Sequence, residues 1–204
     1  MVRQIAVLGA TGSIGASTLD VIQRHPDRYR PVVLAANRSV DEMERLCRLH
    51  TPDHAVMGDP EAAGALAEKL KDLTSTEVSS GAAVLDQLVS ASGVDTVVAG
   101  IVGFAGLRAT LSAAGAGKTI LLANKEALVS AGGLFMDAVK RGGATLLPVD
   151  SEHNAMHQCL PTDASGRPHM ANVERIILTA SGGPFRGRTR ASLAEVTPAE
   201  ACAH

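Results

Sequence analysis

Three glycines at regular spacing give the first indication of chemistry in this sequence of 204 residues. Gly9, Gly12 and Gly15 lie between an apolar run typical of a buried strand and an amphipathic segment typical of a helix. Glycines in such a turn let the backbone approach a pyrophosphate, and the following helix N-terminus offers free N–H groups. An ordinary glycine turn would look similar, and the spacing is GxxGxxG rather than GxGxxG. The position in the first strand–helix connection nevertheless favours a nucleotide-binding loop.

The end of the second predicted strand indicates which nucleotide would bind. A site for NAD places Asp or Glu there, about 20 residues after the glycines, to hold the ribose 2′-hydroxyl. This sequence has Asn37, Arg38 and Ser39 instead. An arginine beside an amide and a hydroxyl suits a 2′-phosphate. We therefore predict a preference for NADPH over NADH.

A second polar cluster, Asn124, Lys125 and Glu126, follows a predicted strand at 119–123. Ligands of open α/β sheets bind at the carboxyl ends of the strands. A lysine at the start of a helix opposes the helix dipole, which favours an anionic ligand as the reason for its placement. A solvated surface amine is the alternative, and the sequence leaves both open.

A third cluster contains two carboxylates, Asp150 and Glu152. If the chain stays extended after the preceding strand, residues two apart point the same way and both carboxylates face one point. Oxygen ligands of this type suit Mg²⁺ or Mn²⁺ rather than Zn²⁺. A pair of loop carboxylates that caps a helix is the alternative.

The glycine pair after Ser181 is the last candidate site. It follows a predicted strand at 173–179. Backbone N–H groups around paired glycines can bind an anion, and the Ser181 hydroxyl would add a donor. An ordinary glycine turn is an equally good interpretation of the same residues.

Composition excludes several other classes of function. The net charge is −2, the isoelectric point is near 6.4 and aromatic residues make up 2% of the chain, so the sequence has neither a basic field nor a base-stacking surface for nucleic acid. The longest apolar stretch, residues 96–107, is too short to span a bilayer. Three scattered cysteines suit a reducing compartment. We expect a cytoplasmic protein with no nucleic-acid or membrane partner.

Strand-like runs alternate with helix-like segments over residues 1–149. Predicted strands cover 4–8, 31–36, 54–57, 96–99, 119–123 and 144–149, and predicted helices cover 14–23, 39–50, 60–73, 82–91 and 126–141. This alternation predicts an α/β fold with a Rossmann-like, doubly wound, mostly parallel sheet. Capping boxes are predicted at Ser39–Glu42 and Thr197–Glu200. The second box stands so near the last residue that we expect a chain cut from something longer.

Several strings together resemble the 1-deoxy-D-xylulose 5-phosphate reductoisomerase family. They are GATGSIG, AGKTILLANKEALV, LFMDAVK, LLPVDSEHNA and SGGPFR, in the family's order. The resemblance implies rearrangement and reduction of 1-deoxy-D-xylulose 5-phosphate to 2-C-methyl-D-erythritol 4-phosphate in non-mevalonate isoprenoid biosynthesis, with NADPH and a divalent metal. It also implies a homodimer, and it implies that residues 150–204 begin an α+β catalytic domain that binds metal and substrate.

The resemblance also implies a role for each candidate residue. The cofactor would contact Thr11, Gly12, Ser13, Ile14, Asn37, Arg38, Ser39, Asn124 and Glu126. The metal, Mg²⁺ or Mn²⁺, would bind Asp150 and Glu152. The phosphorylated sugar substrate would contact Lys125, Ser151, Glu152, Ser181 and His204. Because a third metal-binding glutamate would follow His204, we expect these residues to bind cofactor without turning over substrate. A non-catalytic NADP-binding module is the alternative.

Overall fold

The structure, a computed structural model, describes residues 1–163, 168–179 and 183–203. Contacts between residues divide the chain into two units, Met1–Asp150 and Ser151–His204. All of the strands found among the described residues belong to the first unit. Among the described residues, no helix combines the length and the apolar character that crossing a membrane requires.

The first unit is built on a parallel sheet of seven strands in the order β4-β3-β2-β1-β5-β6-β7. The strands are β1 Arg3–Leu8, β2 Tyr29–Ala36, β3 His54–Met57, β4 Glu77–Ser80, β5 Thr96–Ala99, β6 Thr119–Leu122 and β7 Thr145–Pro148. The chain adds strands on one side of β1 up to β4 and then crosses to the other side with β5. This change of direction is the switch point of a doubly wound sheet. The predicted α/β fold is therefore confirmed.

Helices cover both faces of this sheet. They are α1 Ser13–Arg24, α2 Val40–His50, α3 Pro60–Lys69, α4 Ala82–Ser90, α5 Leu107–Gly115 and α6 Glu126–Gly142. In β1, Ile5 and Val7 pack in a core with α1, α2 and α3, whereas Ala6 and Leu8 pack with α4, α5 and α6. Successive side chains of a strand point to opposite faces. A continuous apolar strand with a core on each side follows from that geometry.

Strand β4, helix α5 and the short 3-10 helix Gly103–Gly106 of the first unit were not predicted. Strand β4 has the sequence EVSS and lies at the edge of the sheet, so it lacks the apolar run that marks the other strands. Helix α5 buries Ala109, Ala113 and Ala114. In the sequence, these small residues directly follow the apolar stretch at 96–107, so no boundary marks the start of the helix. Helix α3 also ends at Lys69, about one turn before its predicted end.

Among its described residues, the second unit contains two α-helices, α7 Ser151–Cys159 and α8 Pro198–Ala201, and two short 3-10 helices, Gly183–Phe185 and Ala191–Leu193. The prediction of a strand at 173–179 is wrong. The structure is irregular there, and none of the described residues pairs with this segment as a strand. An apolar run becomes a strand only where a neighbour takes up its backbone hydrogen bonds. No described residue of this unit is buried, and Ile177 is 75% exposed.

One of the two predicted capping boxes is present. At α8, Thr197 Oγ1 accepts a hydrogen bond from the Glu200 backbone N–H at 3.3 Å, and Glu200 Oε2 accepts one from the Thr197 N–H at 2.9 Å. At α2 the helix begins where predicted, but the box is wrong, because the Ser39 side chain makes no capping bond. Glu42 pairs with Arg45 instead, at 2.7 Å between Oε1 and Nη2.

Candidate functional site

The glycine loop between β1 and α1 has the close approaches that its sequence predicts. Gly9 has φ +82°, and a Cβ there would lie 2.8 Å from the carbonyl oxygen of Gly100. Gly15 is buried, and a Cβ there would lie 2.5 Å from the Gly9 carbonyl oxygen. Gly12 is the N-cap of α1, and no side chain caps this helix in the described structure. The first turn of α1, which begins with Ser13 and Ile14, therefore presents its N–H end uncapped.

A cavity of about 500 Å³ opens beside this loop, at the carboxyl ends of the strands around the switch point. Thr11, Gly12 and Asn37 line it together, which brings three of the predicted cofactor residues to one place. Ile101 and Val102, after β5, contribute an apolar wall. An apolar cleft of this size with a few polar groups is typical of a cofactor site.

Small residues after the strands keep the cavity open. Gly9, Gly58, Gly81 and Gly100 each follow directly on the end of a strand, namely β1, β3, β4 and β5. All four line the cavity. We identified only the first of them from the sequence. A glycine directly after a predicted strand is the signal that could have revealed Gly58 and Gly100, whereas Gly81 follows β4, which was not predicted.

Arg38 and Ser39 lie at the start of α2, outside the cavity lining. Arg38 Nε donates to Asp59 Oδ2 at 2.8 Å. The other carboxylate oxygen of Asp59 accepts hydrogen bonds from the backbone N–H groups of Glu61 and Ala62, each at 3.0 Å, and so caps α3. The hydrogen bond from the Ala62 N–H, assisted by Arg38, lowers the pKa of the Asp59 carboxyl, against the opposing effect of desolvation. Asp59 was not a candidate from the sequence.

Asn124 is predicted to contact the cofactor, but its side-chain amide makes hydrogen bonds to backbone groups of the protein. Its side chain is nearly buried, and Nδ2 donates to the carbonyl oxygens of Ile101 and Gly103, both at 2.6 Å. Its Oδ1 accepts from the Glu126 backbone N–H at 3.1 Å. Asn124 therefore braces the apolar wall of the cavity against the start of α6.

Lys125 is the N-cap residue of α6 and is exposed. It has no ion pair within the described part of the chain, although the helix N-terminus beside it disfavours a positive charge. Glu126, in the first turn of α6, is also exposed. Helix α6 bends at Ala131, where φ is −141° and ψ is 28°, so its first turn forms a short segment before the bend.

The chain does not stay extended from Asp150 to Glu152, so the condition for both carboxylates to face one point as in a strand is not met. Helix α7 begins at Ser151, so Glu152 lies in its first helical turn, and the alternation of a strand does not apply. Ser151 and Glu152 are exposed, and Asp150 is half-buried at the end of the first unit. The described ranges contain no group of three or more His, Cys, Asp or Glu side chains placed to hold a metal ion. Carboxylate oxygens remain the donor type that Mg²⁺ prefers.

Two predicted substrate residues, Ser181 and His204, lie outside the described residues. Within the second unit, a cavity of about 760 Å³ lies between α7 and the irregular segment at 173–179. Ser151 and Glu152 line it. Two of the predicted substrate residues thus share one cavity.

Comparison with known proteins identifies the family of this chain. The family model for 1-deoxy-D-xylulose 5-phosphate reductoisomerase matches residues 5–132, and the model for the C-terminal domain of that enzyme matches residues 146–204. The 1-deoxy-D-xylulose 5-phosphate reductoisomerase of Cupriavidus metallidurans is 55% identical over 203 residues, which are 99% of this chain and 51% of that protein. The chain spans about half the length of the curated relatives it matches.

Solved structures give the same result. The 1-deoxy-D-xylulose 5-phosphate reductoisomerase from Zymomonas mobilis in complex with NADPH has a TM-score of 0.87 and 49% identity, over 97% of this chain and 50% of that one. A DOX-P reductoisomerase in complex with NADPH, fosmidomycin and magnesium has a TM-score of 0.76 and 50% identity, over 78% of this chain and 39% of that one. The resemblance found in the motifs is confirmed: the chain belongs to the 1-deoxy-D-xylulose 5-phosphate reductoisomerase family.

Proposed function

We propose that this chain binds NADPH and forms the cofactor-binding part of an enzyme that converts 1-deoxy-D-xylulose 5-phosphate to 2-C-methyl-D-erythritol 4-phosphate. The observation that carries the proposal is the cavity at the switch point, beside the uncapped N-terminus of α1. A helix N-terminus behind a glycine turn suits a pyrophosphate. A relative from Zymomonas mobilis in complex with NADPH supports the same choice of ligand.

The residues of this chain would divide the binding of NADPH among them. The N–H groups at Gly12, Ser13 and Ile14 would face the pyrophosphate, Thr11 would line the same loop, and Arg38 would face the 2′-phosphate. Gly9 would let the loop pass close to the turn after β5, since a Cβ there would lie 2.8 Å from the Gly100 carbonyl oxygen. When bound, NADPH supplies the hydride for the reduction.

We propose that Asp150 and Glu152 bind the divalent metal, Mg²⁺ or Mn²⁺. The chemistry of the donors fits, since both supply carboxylate oxygens, and a relative is known in complex with magnesium. The metal, when bound, would polarise substrate oxygens. Lys125, whose ammonium group has no ion pair among the described residues, would contact the phosphorylated substrate, and Ser151 would donate a hydrogen bond to it. Ser181 and His204 complete the proposed set of substrate contacts.

We further propose that the 204 residues bind cofactor but do not turn over substrate alone. The second unit buries none of its described residues, so it lacks the rigid packing that holds catalytic groups within about 0.5 Å of their working positions. The intact protein would be a cytoplasmic homodimer, the oligomeric state that the family resemblance implies. The net charge of −2 and the 2% aromatic content of these 204 residues favour neither a nucleic-acid nor a membrane partner.

A binding and turnover experiment tests the proposal. NADPH and NADH are titrated into the purified chain and the two dissociation constants are compared. The 2′-phosphate contact should contribute about 1.5–3 kcal/mol in favour of NADPH. NADPH consumption is then followed with 1-deoxy-D-xylulose 5-phosphate and Mg²⁺ or Mn²⁺. Equal affinities would reject the role of Arg38, and turnover at the rate of an intact family member would reject the proposed inactivity.

A further inference from the structure

Backbone hydrogen bonds join the turn after β3 to the turn after β2. The turn after β2 contains Arg38, which is predicted to determine the cofactor preference. The Gly58 N–H donates to the Ala36 carbonyl oxygen at 2.8 Å, and the Asp59 N–H donates to the Asn37 carbonyl oxygen at 3.2 Å. A Cβ at Gly58 would lie 2.6 Å from Asn37 Oδ1, so the two turns are in close contact. They form one local structure although they are about 20 residues apart in the sequence.

The Asp59 carboxylate uses each oxygen for a different contact. Oδ1 caps α3, and Oδ2 accepts from Arg38 Nε at 2.8 Å. The Asp59 side chain is 18% exposed, whereas that of Arg38 is 77% exposed. Among the described residues, the two Nη groups of Arg38 have no hydrogen-bond partner. The Arg38 guanidinium is therefore hydrogen-bonded through Nε, and its Nη groups are exposed to solvent.

Resting on the proposed function, we infer that Asp59 is a positioning residue for cofactor preference, because it holds Arg38 ready for the 2′-phosphate of NADPH. A pre-ordered side chain does not lose its conformational freedom when the ligand binds, and this is worth about 2- to 10-fold in affinity for a long side chain. The negative charge of Asp59 is offset by the N-terminus of α3, which limits its repulsion of the phosphate.

Replacement of Asp59 by Asn tests this inference. Asparagine is as good an N-cap as aspartate, so α3 keeps its cap, but the charged partner of Arg38 is lost. We expect Asp59→Asn to weaken NADPH binding by about 2- to 10-fold and to leave NADH binding unchanged. The matched control is Glu61→Gln, which removes a carboxylate from the same turn without a contact to Arg38. Equal effects of the two variants on the ratio of affinities, or tighter NADPH binding by Asp59→Asn, would overturn the inference.

A double-mutant cycle separates positioning from a general effect on the fold. In an Arg38→Ala background, Asp59→Asn should change NADPH affinity no further, because its effect acts through Arg38. An undiminished loss in that background would overturn the inference. If the wild-type chain binds NADPH and Asp59→Asn has the same preference for NADPH over NADH, this inference alone is rejected. A wild-type chain that binds no NADPH rejects the proposed function and the inference together.

Discussion

A Cβ atom on Gly15 would lie 2.5 Å from the carbonyl oxygen of Gly9, closer than two such atoms approach in proteins. Helix α1 therefore packs on the glycine loop through bare backbone. Gly12 is different, because a Cβ there would lie 3.4 Å from the same oxygen, at ordinary contact distance. The three glycines of one motif thus have different steric requirements.

Gly15→Ala should destabilise the first unit by about 1–3 kcal/mol, because the backbone around the loop must shift to admit the methyl group. It should also weaken NADPH binding. The matched control is Gly64→Ala in α3, where a Cβ would meet nothing within 4 Å. This control should stabilise the protein by up to about 1 kcal/mol, since alanine favours a helix more than glycine. Urea unfolding measures the change in stability of each variant, and titration measures the change in NADPH affinity. A Gly15→Ala variant as stable as the wild type would contradict the steric argument.

Asn124→Ala should destabilise the protein by about 1–3 kcal/mol, because the carbonyl oxygens of Ile101 and Gly103 lose their donor. Asn124→Asp should be similarly destabilising, since it retains the acceptor but supplies no donor. Gln87→Ala, which removes an exposed amide from α4, serves as the control and should stay within about 0.5 kcal/mol. Thermal unfolding distinguishes the three. Wild-type stability of Asn124→Asp would show that the two carbonyl contacts contribute little.

Burial raises the pKa of the Cys47 thiol to about 11. The thiolate is the form that iodoacetamide attacks, so at pH 8 the exposed Cys159 and Cys202 should be alkylated in the native protein well before Cys47. Mass spectrometry of the modified peptides gives the order of reaction. Modification of Cys47 at the same rate as the other two would contradict its burial.

The same shift predicts a pH dependence of stability. The folded state disfavours the Cys47 thiolate, so the free energy of unfolding should fall as pH rises from the ordinary thiol pKa near 9 to about 11. The slope from this group is about 1.4 kcal/mol per pH unit. The Cys47→Ala variant should lose this part of the slope, whereas Cys202→Ala should retain it. Identical slopes for Cys47→Ala and wild type would remove Cys47 as the cause.

The second unit should exchange its backbone amide hydrogens faster than the first. None of its described residues is buried, and Ile176, Ile177 and Leu178 are 47%, 75% and 56% exposed. Segments with few buried contacts open at low free energy. Hydrogen-exchange mass spectrometry should therefore show less protection in α7 than in α6. Equal protection of these two helices would contradict the expectation.

Local patterns in the sequence determined most of the first unit. The strands at His54–Met57 and Thr96–Ala99 have the predicted bounds, because a short apolar run between turn residues is sufficient to mark a buried strand. The glycine loop was identified for the same reason, since glycines between a strand and a helix meet a steric need that arises within a few residues.

Only the tertiary structure decided the contacts between distant segments. The pairing of Arg38 with Asp59 joins two turns that approach because β2 and β3 are neighbours. The brace from Asn124 to Ile101 depends in the same way on the pairing of β5 with β6. A strand at 173–179 did not form, because its apolar residues require a partner that no local pattern supplies. Sequence specifies which groups are present, whereas the order of the strands determines which of them meet.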